Sequence, residues 1–203
     1  MNQKQALKQL KELNKKSKEM RLAAENWSND WQILTAIILS ARTRDEVTIK
    51  VCEKMYKEVS SSKEFSKLKI QKVKKLIGSI NFFNNKSKMI LNCAKEIETI
   101  HKGIVPRDFE KLVMLSGVGR KTANVFLAEF GGSNIGVDTH VSYISQYLGW
   151  ANSDKQEVIE NQLKELFPKS KWKELNSILV RFGKTYTSKR EKNFILDEIK
   201  KII

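Results

Sequence analysis

The chain has 203 residues, with 38 Lys+Arg against 23 Asp+Glu and a formal net charge of +15 at pH 7. Such a surplus suits a polyanionic partner, but Lys- and Asn-rich proteins reach similar values without one, so charge alone does not assign a partner. With 40% hydrophobic and 30% charged residues there is material for a packed core and too much for a disordered tail. The length predicts one two-lobed domain or two small domains and excludes a large multidomain assembly.

The N-terminal stretch Met1 to Arg21 reads as a Lys-rich polar helix. It lacks the apolar core of a signal peptide, and nothing in the chain approaches the ~18 apolar residues of a membrane span. Ala6, Leu7, Leu10 and Leu13 make too thin a stripe for a membrane-surface helix. Trp31 to Leu39 (WQILTAIIL) is apolar almost all round, which predicts a central buried helix. Asp45 is the expected N-cap of an amphipathic helix on which Val47, Val51, Met55 and Val59 recur at i+4 with Cys52 and Tyr56 alongside. The Lys63–Lys75 run, with six Lys and one Glu, reads as a solvated helix face. Ile90, Cys93, Ala94 and Ile97 repeat the amphipathic pattern. Both cysteines therefore read as core, and neither belongs to a C-x-x-C pair that would indicate zinc or a disulfide framework. A cytoplasmic, nucleoid-associated location follows as an expectation.

Helices are also expected at Glu110 to Met114, Lys121 to Phe130, His140 to Leu148, Asp154 to Phe167 and Lys171 to Phe182. Asp154 and Glu157 have the spacing of a capping box, and Phe194, Ile195, Glu198 and Ile199 suggest a last helix. With only 2 Pro and 9 Gly and little alternating periodicity, the fold class is all-α. The densest punctuation falls at Gly117–Gly119 and Gly131–Gly136.

Leu115-Ser-Gly-Val-Gly-Arg-Lys121 separates two helical segments. Its paired glycines permit positive φ in a tight turn, and the following helix exposes backbone N–H groups that suit a phosphate. An apolar residue, G-x-G and a basic pair opening a helix have the form of a helix-hairpin-helix that grips a DNA phosphate. Downstream, Asp138 in Gly136-Val-Asp-Thr-His140 reads as a helix cap, a role compatible with chemistry if its carboxylate also faces a pocket.

These motifs, LSGVGRKTANVFLAEFG followed by GVDTHV, resemble the endonuclease III-like DNA glycosylases of the helix-hairpin-helix superfamily. Upstream, ILSARTRDEVTIKVCEKMY resembles the family's early helix pair, and FFNNKSKMIL resembles its second DNA-inserting loop. The likeness runs from about residue 20 to 185. It implies a two-lobed all-α fold with a DNA cleft between the lobes. One lobe would span 23–130 and contain the hairpin; the other would combine 1–22 with 131–203.

By resemblance, Lys121 and Asp138 are the catalytic pair of a bifunctional glycosylase and abasic-site lyase that acts as a monomer on damaged double-stranded DNA. Arg42 would fill the gap left by a flipped nucleotide, and Phe82 would wedge the opposing strand unless it is ordinary core. Lys86, Gly117, Gly119, Arg120 and Thr122 would contact phosphates, while Ser40, Asp45 and His140 would shape the cleft. The carbonyls of Val113, Leu115 and Val118 match those that hold a monovalent Na+ or K+ in relatives. The chain departs from the family in two places. It has no cysteine after Cys93, so no iron–sulfur cluster is expected, and the last helix and the Lys-rich N-terminus would take over its packing and phosphate contacts. Ser116 stands where the hairpin usually has Pro, giving a less rigid turn. Oxidised pyrimidines are the expected lesions. The alternatives are mismatched T or U, 8-oxoguanine, or a non-catalytic helix-hairpin-helix module that binds DNA without lesion selectivity.

Overall fold

The computed structural model describes residues 1–131 and 134–203, and the described residues contain helices and no strand. Gly132 and Ser133, within the Gly131–Gly136 loop, lie outside the described residues. The chain divides into two compact units, Arg21–Leu127 and the combination of Met1–Met20 with Ala128–Ile203.

In the first unit, α2 (Asp30–Ser40) starts at Asn29, whose side chain accepts the Gln32 N–H. It buries Trp31, Leu34, Ala36, Ile37, Ile38 and Leu39, as its all-round apolar sequence requires. α3 (Asp45–Glu58) and α6 (Phe83–Ile100) pack against it. They contribute Val51, Cys52, Met55 and Tyr56 from α3 and Ile90, Cys93, Ala94 and Ile97 from α6. Each fully buried aliphatic side chain of this kind stabilises the fold by ~1.5–3 kcal/mol. The Tyr56 hydroxyl donates to the Gln32 carbonyl at 2.8 Å, so this buried phenol keeps a partner. Two short helices, α4 (Ser62–Phe65) and α5 (Ile70–Leu76), pack on α6, and α7 (Phe109–Val113) leads into α8 (Arg120–Glu129).

In the second unit, α1 (Gln3–Lys16) lays Ala6, Leu10 and Leu13 into a core shared with α9 (Thr139–Leu148), α10 (Gln156–Leu166), α11 (Trp172–Thr185) and α12 (Lys189–Lys200). The thin stripe on α1 is thus a packing face. The α1 and C-terminal ends are tied by Gln5 Nε2 and Lys8 Nζ, which donate to the carbonyls of Ile202 (3.0 Å) and Ile203 (2.7 Å). Polar side chains fasten α12 to α9: the Tyr143 hydroxyl bonds Asn193, the Tyr147 hydroxyl donates to Asp197 at 2.8 Å, and Lys192 and Lys200 lie over the two tyrosine rings.

Two caps differ from the sequence reading. Arg44, not Asp45, is the N-cap of α3, with its carbonyl accepting from Val47 and Thr48, and Asp45 occupies the first helical position. There its charge still favours the helix N-terminus. At α10 the N-cap is Lys155 with no side-chain cap, so Asp154 and Glu157 do not form the expected capping box. A capping box does form at Ser61 and Glu64, at the start of α4. No helix among the described residues is long and apolar enough to cross a membrane.

Candidate nucleic-acid interface and active site

The hairpin turn runs from Met114 to Gly119 between α7 and α8. The Val118 N–H donates to the Leu115 carbonyl at 3.0 Å and closes it. Gly117 sits at φ +81°, and a Cβ there would lie 3.0 Å from Met89 Cβ and 3.4 Å from Ile38 Cγ2, so conformation and space both demand glycine. Gly119 is different: its φ is not positive and a Cβ would meet nothing within 4 Å. Its lack of a side chain serves no contact inside the protein. Ser116 is held by Glu96 of α6, which accepts its N–H at 2.7 Å and its hydroxyl at 2.6 Å.

Arg120, Lys121 and Thr122 form the first turn of α8, each partly exposed. The Arg120 guanidinium lies 5.1 Å from the centroid of Phe109, an interaction that fixes the start of the helix against α7. Lys121 thus stands one residue behind a turn whose backbone is pinned at Ser116 and Gly117.

Asp138 is the N-cap of α9. Its Oδ1 accepts the N–H groups of both His140 and Val141 at 2.9 Å, and its side chain is partly exposed. The capping role read from sequence is therefore present. His140 is set against α11 at Gly183, where a Cβ would fall 2.2 Å from His140 Nδ1. The need for glycine at 183 has no sequence signal, because the partner lies on a distant segment.

The two loop candidates are unusual in their backbone. Arg42 (φ 56°) and Phe82 (φ 60°) are both left-handed non-glycine residues, a conformation costing ~1–2 kcal/mol each. Phe82 is 56% exposed, so it is not core. The Arg42 guanidinium lies 5.1 Å from its ring centroid, bringing the two tips together.

Lys86, expected among the phosphate contacts, is elsewhere. It is only 6% exposed, and its ammonium donates to the carbonyls of Leu39 (2.7 Å) and Ala41 (2.5 Å) and to Thr43 Oγ1 (3.2 Å). With three donors engaged on protein acceptors, it has none to offer a phosphate. Burial pushes its pKa down to about 8. Ser40 is partly exposed, with its hydroxyl donating to the Ile37 carbonyl of its own helix at 2.9 Å.

An iron–sulfur cluster of the kind common in the resembling family would need closely spaced thiolates. Cys52 and Cys93 lie buried on different helices, and burial pushes both thiols up to about 12. No group of three or more His, Cys, Asp or Glu suited to a metal occurs among the described residues. Among the described residues these two cysteines do not supply a ligand set of that kind.

Residues 35–169 match the HhH-GPD superfamily of base excision DNA repair proteins. Endonuclease III of Thermotoga maritima is 35% identical over 158 residues, which is 77% of this chain and 74% of that protein. Endonuclease III of Escherichia coli is 33% identical over 144 residues, 70% of this chain and 68% of that protein. Among solved structures, a trapped endonuclease III–DNA covalent intermediate is similar with a TM-score of 0.83 and 28% identity, covering 93% of this chain and 89% of that one. A thermostable thymine-DNA glycosylase shares the fold at a TM-score of 0.66 and 22% identity, over 99% of this chain and 87% of that one.

Proposed function

This chain belongs to the HhH-GPD superfamily of base excision DNA repair proteins, and from that premise we propose that it is a bifunctional DNA glycosylase and abasic-site lyase acting on oxidised pyrimidines in double-stranded DNA. The observation that carries the reading is Lys121 in the first turn of α8, directly behind a hairpin whose Gly117 is conformationally obligatory and whose Gly119 leaves open space. Open space at Gly119 suits close approach of a DNA phosphate to the backbone N–H groups opening α8. Arg120 and Thr122 are placed to add contacts, and the carbonyls of Val113, Leu115 and Val118 would hold a monovalent cation beside that phosphate.

The damaged nucleotide must leave the stack before its bond can be broken. Phe82, exposed and apolar, supplies a wedge, and Arg42 supplies donors for the orphaned base. Lys121 Nζ attacks C1′ through its lone pair while the C1′–N bond breaks, and the departing base keeps the bonding pair and takes a proton from water. Asp138 carries the negative charge that stabilises the developing positive sugar and takes the proton from the attacking nitrogen. The ring opens to a Schiff base as the C1′–O4′ bond breaks and O4′ takes up the proton held by Asp138; loss of a C2′ proton to water then expels the 3′ phosphate by β-elimination. Support also comes from the solved endonuclease III relative, which is trapped covalently on DNA. A cytoplasmic, nucleoid-associated location suits this substrate.

The test is borohydride trapping on duplexes bearing thymine glycol, dihydrouracil, 8-oxoguanine, G·T or G·U, with base release and strand scission scored separately. The expected result is a covalent adduct and nicking with the oxidised pyrimidines, abolished in Lys121→Gln. An adduct formed by Lys121→Gln would remove the lysine assignment. Salt-sensitive binding with no lesion selectivity and no dependence on Lys121 or Asp138 would establish the non-catalytic module instead.

A further inference from the structure

The loops bearing Arg42 and Phe82 come from distant parts of the sequence, yet one buried side chain joins them. Lys86 rises from the first turn of α6, four residues after Phe82, and its ammonium caps the C-terminal end of α2 through the carbonyls of Leu39 and Ala41. Its third bond reaches Thr43 Oγ1, on the far side of Arg42. A second strap runs alongside: the Asn81 side chain donates to the Arg42 carbonyl at 2.6 Å, and the Asn81 N–H donates to Thr43 Oγ1 at 3.2 Å. The carbonyls before and after the Arg42 Cα, and the Thr43 hydroxyl that follows, are thereby held from the segment that carries Phe82.

These bonds have a specific object. Of the four non-glycine residues at positive φ among the described residues, two are Arg42 and Phe82. A left-handed arginine in an exposed loop persists only when its surroundings over-determine it. An ammonium suits the task because the end of a helix offers carbonyls without intrahelical partners, and three N–H donors can gather several at once.

We propose that Lys86 is a positioning residue, a cross-loop clamp that fixes Arg42 and Phe82 as one preorganised unit for opening the base stack. This rests on the roles of Arg42 and Phe82 given above, but the clamp is also a structural claim with its own readout. Lys86 touches neither base nor sugar in this scheme. Its removal therefore affects the step that extrudes a stacked base more than the chemistry at a site that has already lost its base.

The experiment uses the full chain carrying Lys86→Met, which keeps the apolar stem and removes the donors, alongside Thr43→Val, which keeps Lys86 and removes one acceptor from both straps. Amide hydrogen exchange at pH 7 is expected to quicken in both variants at residues 40–44 and 80–83 while α8 and α9 stay protected. On a thymine glycol duplex, single-turnover base release is expected to fall by about tenfold or more in Lys86→Met, since small misplacement of a positioned group is costly. Scission of a preformed abasic site is expected to fall by no more than about threefold. Unchanged exchange in both loops overturns the clamp whatever the activity. Equal losses on the two substrates also overturn it, leaving Lys86 a general fold residue. If wild-type protein processes neither substrate, the proposed function fails while the exchange result still decides the clamp. Thr43→Val covers the case in which Lys86→Met does not fold.

Discussion

The Ser116 N–H and hydroxyl both donate to the Glu96 carboxylate, at 2.7 and 2.6 Å, so the hairpin turn is pinned to α6 by a charged acceptor. Proline at this position would fix φ but offer no hydrogen atom to Glu96. The turn is thus made rigid by an inter-element bond where the resembling family commonly uses a ring. Glu96→Ala is expected to destabilise the protein by ~1.5–3 kcal/mol, the range for hydrogen bonds to a charged group. Ser116→Pro is also destabilising here, because it leaves a partly buried carboxylate without its two donors. In the double variant that mismatch disappears, so the two losses are less than additive by ~0.5–3 kcal/mol. Urea unfolding of the four proteins measures this coupling, and strict additivity would show that the Ser116–Glu96 contact does not stabilise the turn.

Asp138 combines a cap with a proposed catalytic charge, and substitution separates the two. Asn caps helices about as well as Asp, so Asp138→Asn keeps the bonds to His140 and Val141 and the Tm of the parent. Base release should still fall by about 10²-fold or more, because the carboxylate charge is gone. Asp138→Ala loses the same activity and ~1 kcal/mol of stability as well. If Asp138→Asn retained parental base release, Asp138 would be a cap and nothing more.

Gly183 is defined by its neighbour. A methyl group there would lie 2.2 Å from His140 Nδ1 and 2.6 Å from Cγ, so Gly183→Ala forces the imidazole away. Overpacking of this kind costs ~1–3 kcal/mol. The displaced ring sits in the first turn that Asp138 caps, so base release should drop along with Tm. Calorimetry and a single-turnover assay read both, and a variant with parental Tm would mean that the ring relaxes without cost.

Periodicity alone located the buried α2, the apolar faces of α3 and α6, and the core positions of Cys52 and Cys93, because helix amphipathicity is written at a spacing of 3–4 residues. Phe82 is legible as an exposed wedge only through its motif; its left-handed backbone lies in a segment that Asn81 and Lys86 tie to the carbonyls of Ala41 and Arg42. Lys86 shows where the sequence is silent. A lysine between Asn85 and Ser87 looks solvated, and its burial depends on the end of a helix more than forty residues away. Glu96 and Gly183 are the same case, since each matters through a partner remote in sequence. The Ser61–Glu64 box, by contrast, is present in the S-x-x-E pattern itself.

The thiols supply a test of the core. With both pushed up to about 12 by burial, neither is a thiolate at pH 8 to any useful extent. A disulfide exchange reagent should modify no cysteine in the native protein and both in denaturant. Native labelling of one thiol faster than global unfolding would mean that α3 or α6 opens locally.

The Lys86 ammonium also sets a dependence on pH. In the unfolded chain it titrates near 10.5, whereas burial lowers it to about 8 in the folded protein. Between those values the unfolded state holds more protons, so stability rises with pH through this window. Below pH 8 both states carry the charge and Lys86 contributes no slope. Subtracting the Lys86→Met curve cancels the other groups, and the difference should be flat from pH 6 to 7 and climb from about 8 to 10.5 in favour of the parent. Clamp function moves the other way, because a neutral amine has two hydrogens for three uncharged acceptors, the Leu39 and Ala41 carbonyls and Thr43 Oγ1. Base release by the parent, relative to scission of a preformed abasic site, is therefore expected to fall through the window in which its stability rises. Parallel pH profiles for stability and base release would mean that the Lys86 charge does not hold the loops.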